Sequence, residues 1–165
     1  MILTDKEIAS SGLIQPFRAE QLNPASYDLL IGPEMLIETE HGLSPYNLGN
    51  TTQANPFMLD PGGFCLLHSQ ETFDLPSNIA ATVALKSSRA REGYDHMLAG
   101  WCDPGWFGSV LTLEIKNQRQ FAQLPIWCGM RMVQIVFMHC TGRVENSYAG
   151  RYNNDRSVSA SKYTE

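Results

Sequence analysis

Three short stretches hold side chains able to do chemistry. The first is LKSSRAREG, residues 85–93, directly after the apolar run ATVAL. Two hydroxyls (Ser87, Ser88) and three cations (Lys86, Arg89, Arg91) fall there within six residues. Hydroxyls, cations and freed backbone N–H groups are what hold phosphate oxygens. The same pattern also describes a charged, capped loop at a helix start. The second stretch is SVLTLEIKN, residues 109–117, an apolar strand with one acid, Glu114. That carboxylate either lies on a solvated face between Thr112 and Lys116 or moves protons. The third is GMRMVQIVF, residues 129–137, where Gln134 sits among apolar neighbours. A buried amide needs partners, so Gln134 either completes a core network or reaches a ligand.

Several familiar arrangements are missing. Zinc-dependent base deaminases need a His or Cys, a nearby Glu and a PCxxC pair to make hydroxide at neutral pH. No such constellation occurs, and His41, His68, His96 and His139 stand alone as packing or surface residues. No G-x-x-x-x-G-K-[ST] or G-x-G-x-x-G phosphate loop and no GxSxG elbow occurs either. Any hydrolysis is therefore expected to run without a protein-held metal.

The chain that must position these residues has 165 of them, 43% hydrophobic and 18% charged, which bounds it to one globular domain. A net charge of −5 argues against a nucleic-acid-coating surface but leaves room for a small anionic ligand held by a local cation cluster. No apolar run reaches the roughly 18 residues of a membrane helix, and MILTDKEIASSG is not a signal peptide. Cys65, Cys102, Cys128 and Cys140 show no CxxC spacing and read as reduced, mostly buried thiols, so a cytoplasmic location is expected.

LTDKEIASSGLI predicts a short N-terminal helix, with Thr4 as N-cap, acids in the first turn and Gly12 at its end. Short apolar segments follow at 26–32, 34–39, 63–69, 80–86, 109–117 and 131–140, separated by NP, GP, SP, DPGG, LPSN, DPGWFG and LPIWCG. This spacing predicts an all-β barrel or distorted sandwich over residues 1–145. Residues 146–165 are polar and Ser/Asn-rich. They read either as a disordered tail or as a mobile lid that orders over a ligand with Tyr148, Arg151 and Tyr152.

Five segments in order resemble the trimeric dCTP deaminase and dUTPase superfamily, and its dCTP deaminase branch in particular. They are NPASYDLLIG (23–32), PGGFCLLHSQETFDLPSNIAATVALKSSRAREG (61–93), AGWCDPGWFGSVLTLEIKN (99–117), GMRMVQIVF (129–137) and SYAGRYNND (147–155). The resemblance implies a homotrimer of distorted β-barrels with the dUTPase-like, β-clip fold and active sites between subunits. It implies dCTP or dUTP as ligand, with Mg²⁺ carried on the phosphates, and a role in supplying dUTP or dUMP for thymidylate synthesis. Glu114 then matches the catalytic glutamate, and Ser87 and Arg91 match the pair that positions water and holds it. Ser88, Gln134 and Arg151 match phosphate contacts, Ala99 the backbone beside the pyrimidine, and Asp103 the acid on the deoxyribose 3′-hydroxyl. Lys86, Trp101, Tyr148, Tyr152 and Asp155 complete the implied substrate-binding set.

One carboxylate can serve the implied reaction. It takes the protons of the water attacking C4 of cytosine, one after the other, and delivers them to N3 and the leaving ammonia. A hydrogen-bonded Ser–Arg–Glu group would also explain an acid in an interior strand. The sequence departs from the family pattern at five places. Lys86 stands for Arg, Leu98 for the Thr linked to dTTP control, Asp155 for a lid Gln, Arg89 for an apolar residue and Cys128 for Pro. Two alternatives to simple deamination stay open: a bifunctional enzyme giving dUMP and pyrophosphate, and a non-catalytic trimeric nucleotide binder.

Overall fold

The computed structural model describes residues 1–163; Thr164 and Glu165, the end of the expected tail, lie outside the described residues. The expected helix is α1, Asp5–Ser11. Glu7 reaches back to accept from the Thr4 backbone N–H at 2.8 Å, so the exposed first turn is closed as its sequence predicts.

After α1 the regular structure is mostly strand. In order come β1 (Ile14–Gln15), a single 3₁₀ turn (Ala19–Gln21), β2 (Leu22–Asn23), β3 (Ser26–Thr39), β4 (Gly42–Asn47), β5 (Phe57–Leu59), β6 (Phe64–Asp74) and β7 (Ile79–Leu85). The helix α2 (Ser87–Glu92) follows. Then come β8 (Tyr94–Asp95), β9 (Trp101–Cys102), β10 (Phe107–Asn117), β11 (Leu124–Ile126) and β12 (Arg131–His139). One curled sheet runs β8-β10-β6-β3-β12-β7-β9, while β11 and β5 pair separately. This is the all-β fold expected, with the sheet curled into a half-barrel, and with one correction to its strands. The two strands expected at 26–32 and 34–39 are a single strand that continues through Pro33. The break that proline would impose is absorbed by a register shift between Ile31 and Met35, a bulge where the ladder needs no N–H. The bend also lets β3 pair with β12 in its first half and with β4 and β6 beyond it.

The core lies inside the curl, built from Tyr27, Leu29 and Ile31 of β3, Leu67 and Phe73 of β6, and Val133, Ile135 and Phe137 of β12. Strand β10 contributes Leu113 and Ile115 to it. Strand alternation therefore turns Thr112, Glu114 and Lys116 to the opposite face, where all three are only partly covered. Among the described residues, no helix is long and apolar enough to cross a membrane.

The curl is tight at Gly32. A Cβ built there would come within 2.1 Å of the His68 ring. That ring is buried, accepts from the Glu34 backbone N–H at 3.3 Å and lies 2.8 Å from the Ser69 carbonyl. Gly32→Ala is therefore expected to cost about 1–3 kcal/mol by overpacking, read as a drop in the thermal unfolding midpoint. An unchanged midpoint would show that His68 moves aside freely.

Candidate active site

Glu114 sits in the middle of β10 opposite Leu66 of β6, on the outer face. Two elements keep that face from being simply solvated. Strand β8 pairs its Asp95 with Lys116, and His96, the next residue, lands against Glu114. The Glu114 Oε2 and His96 Nε2 atoms are 3.8 Å apart, with side-chain exposures of 31% and 5%. Both atoms are buried and neither has a hydrogen-bond partner among the described residues. Burial pushes the Glu114 carboxyl up from its ordinary pKa, against a hydrogen bond from its own backbone. Burial likewise pushes His96 down, against the charge of Asp95. At neutral pH His96 is then an uncharged imidazole, so it does not lock Glu114 in the ionised form as a cation would.

The second cover is the C-terminal segment. It runs along the start of β10, where the Val110 N–H donates to the Asp155 carbonyl at 2.8 Å and the Asn154 N–H donates to the Phe107 carbonyl at 3.0 Å. Trp106 Nε1 and the Ser109 hydroxyl both donate to the Tyr152 carbonyl, at 3.1 and 2.7 Å. The first glycine of DPGWFG makes room for this approach. Gly105 has φ +94°, and a Cβ there would lie 2.7 Å from the Ser147 side chain and 2.8 Å from the Tyr148 nitrogen.

Glu114 thus opens onto two adjoining cavities. One, of about 420 Å³, is lined by Trp101, Asp103, Trp106, Thr112, Tyr148, Tyr152 and Asp155 as well as Glu114. The other, of about 390 Å³, shares Thr112, Glu114 and Tyr152 and is roofed by Ser159, Ala160 and Ser161. Trp101 Nε1 donates to Asp103 Oδ1 at 2.8 Å, fixing that carboxylate at the rim. The chain from His96 to Ala99 passes through Met97 and Leu98, both left-handed (φ 51° and 60°), which leaves Leu98 99% exposed. Two such non-glycine residues in a row cost on the order of 1 kcal/mol or more each, so this stretch is strained.

Of the site residues expected from sequence, the cavity brings together Glu114, Trp101, Asp103, Tyr148, Tyr152 and Asp155. Ala99 stands exposed two residues before Trp101. The phosphate-type stretch is elsewhere in the chain's own fold. Ser87, Ser88 and Arg91 lie exposed on α2, line neither cavity and make no hydrogen bond to Glu114, so the Ser–Arg–Glu group does not form within one chain. Lys86 is tied to Asp28 at 2.5 Å, and Gln134 accepts from the Ser26 hydroxyl at 3.0 Å. Arg151 is turned onto the tail, donating to the Lys162 carbonyl and lying over the Tyr163 ring. His96 is the residue that sequence reasoning missed. A lone histidine carries no motif, and its only signal is its place at the end of the short strand that pairs with β10.

The fold is shared with the crystal structure of the 2′-deoxycytidine 5′-triphosphate deaminase of Agrobacterium tumefaciens, with a TM-score of 0.67 over 82% of this chain and 21% identity. This chain spans 48% of that longer one. The sequence profile of the dCTP deaminase-like family matches residues 2–140, and the chain belongs to that family. Relatives extend over nearly the full length. The dCTP deaminase of Thermococcus kodakarensis is 35% identical over 98% of both chains. The dCTP deaminase of Pyrococcus furiosus is 33% identical over 98% of this chain and 97% of its own. A dUMP-forming dCTP deaminase of Methanosphaerula palustris is 33% identical, covering 100% of this chain and 97% of its own.

Proposed function

We propose that the protein is a hydrolase that deaminates dCTP at C4 of cytosine. The observation that carries this reading is Glu114: a half-buried carboxylate with an unpartnered oxygen, facing a nucleoside-sized cavity in a chain of this family. Its proton affinity is raised by burial, so it takes up a proton more readily than a free glutamate and can hand it on. Water adds its oxygen to C4 while Glu114 takes the proton. Glu114 hands that proton to N3, then takes the second from the new C4 hydroxyl and gives it to the amino nitrogen; the C4–N4 bond breaks, the C4 carbonyl forms, and ammonia leaves. His96 faces one carboxylate oxygen and leaves the other for water and ring. Asp103, held by Trp101, meets the deoxyribose hydroxyl, Ala99 lends its backbone to the base, and Tyr148 and Tyr152 close the cavity.

The triphosphate needs cations, and no Lys or Arg lines this cavity within one chain. In our reading a neighbouring subunit of a homotrimer supplies Ser87, Ser88, Arg91, Lys86 and Gln134, with Arg151 swinging in from the tail. The substrate is the Mg²⁺ complex of the nucleotide. Among the described residues no three His, Cys, Asp or Glu side chains cluster to hold a metal. The product is dUTP, a source of dUMP for thymidylate synthesis. A second reading, direct formation of dUMP and pyrophosphate, draws on the dUMP-forming relatives.

Chromatography of products from dCTP and Mg²⁺ tests the proposal: a uracil nucleotide with one ammonia per turnover is expected. Bound but unchanged dCTP would reduce the protein to a nucleotide binder. Pyrophosphate in the same reaction selects the second reading. The pH dependence has a worked sign. Because burial raises the Glu114 pKa, the active carboxylate is lost on acidification at a higher pH than for a free glutamate. The acid limb of kcat should therefore lie above about pH 4.5, the ordinary glutamate value. A limb at or below that value would contradict Glu114 as the titrating base.

A further inference from the structure

The larger cavity has a charge problem. Asp103, Glu114 and Asp155 line it, and no Lys or Arg does. If the substrate is a nucleoside triphosphate, as proposed above, it enters a wall that repels it. The cation bonded to that wall comes from the tail. Lys162 Nζ lies 2.6 Å from Asp155 Oδ2 and 3.3 Å from the Arg151 carbonyl, with its ammonium 5.3 Å from the Tyr152 ring centroid. The Ser159 hydroxyl donates to the same Asp155 oxygen at 2.8 Å, and the Lys162 backbone N–H donates to the Tyr152 hydroxyl at 3.2 Å. Asp155 is thereby held 17% exposed against a Lys162 that is 38% exposed. The contacts are specific: one carboxylate oxygen takes both donors, and the lysine ammonium lies over the tyrosine that lines both cavities with Glu114.

We propose that Lys162 is a specificity-determining residue that masks Asp155, so that the cavity accepts the polyanionic end of a nucleotide. The pair does the work of a neutral polar residue at position 155, with the charge cancelled across the tail. The masking depends on the tail being folded back. A chain with Lys162 uncharged presents Asp155 bare to the phosphates.

The inference rests on the nucleotide reading, and its test separates the two. Dissociation constants are measured calorimetrically on the full-length protein carrying Glu114→Gln, which stops turnover, with Mg²⁺, for dCTP and for deoxycytidine, which carries no phosphate. Lys162→Met keeps the stem and removes the charge. It should weaken dCTP about tenfold and leave deoxycytidine within about twofold, since repulsion between unit charges at this range is of that order. Lys162→Arg should recover dCTP binding to within about threefold. In the Asp155→Asn background, Lys162→Met should change dCTP binding by less than about twofold. An equal loss in that background, or equal losses for dCTP and deoxycytidine, would overturn the masking role. No dCTP binding by the unmodified protein would instead sink the nucleotide reading itself.

Discussion

Replacing Glu114 with Gln is expected to lower ammonia release from dCTP by about 10²–10⁴-fold, the range that a positioned general acid–base contributes. The amide has the shape of the carboxylate and keeps an oxygen or nitrogen facing His96 Nε2, now 3.8 Å from Oε2. It cannot take a proton from water. Binding should persist, since the base and sugar contacts come from Ala99, Asp103 and the tyrosines. Folding should persist as well. Glu114 has a buried oxygen without a partner, so removing its charge relieves a desolvation cost. The measurement is steady-state ammonia release beside calorimetric dCTP binding and a thermal melt. Undiminished deamination would remove Glu114 from the chemistry, whatever its burial.

Deleting the tail after Tyr148 is expected to reduce turnover by about 10²-fold or more while the barrel stays folded. Two separate observations support the split. None of the fully buried core residues lies beyond Phe137, so the core does not depend on the tail. The cavities do depend on it, because Tyr152, Asp155 and Ser159–Ser161 form their walls. Opening them admits bulk water and loosens the substrate, and small misplacements of reacting groups cost rates of that size. The deletion also leaves Trp106 Nε1 and the Ser109 hydroxyl without the Tyr152 carbonyl, a modest stability loss. Turnover, sedimentation and a thermal melt read these effects apart. An unchanged rate would make the tail a passenger.

Much of this was legible in the sequence. Thr4, Glu7 and Gly12 mark α1 because capping is local chemistry. The strands are marked by short apolar runs between turn dipeptides, and Glu114 by its isolation in one of them. Continuity through Pro33 was hidden, because a bulge is set by the neighbouring strands and not by the residue. His96 was hidden for a similar reason: only the pairing of β8 with β10 carries it to Glu114. The resemblance also implied a contact of Ser87 and Arg91 with Glu114 that one chain does not make. Proximity in sequence motifs says nothing of which copy completes a site. The tail's composition favoured disorder over a lid, and its backbone bonds to β10 come from the room left at Gly105, a feature of three dimensions.

The central claim is hydrolytic attack on the cytosine ring at the Glu114 site. Mass spectrometry of the product formed from dCTP and Mg²⁺ in ¹⁸O-water tests it most directly. The account predicts a uracil nucleotide with one ¹⁸O in the base for every ammonia released, and loss of that label with Glu114→Gln. A product with an unlabelled base, or labelled uracil formed equally by Glu114→Gln, would contradict it.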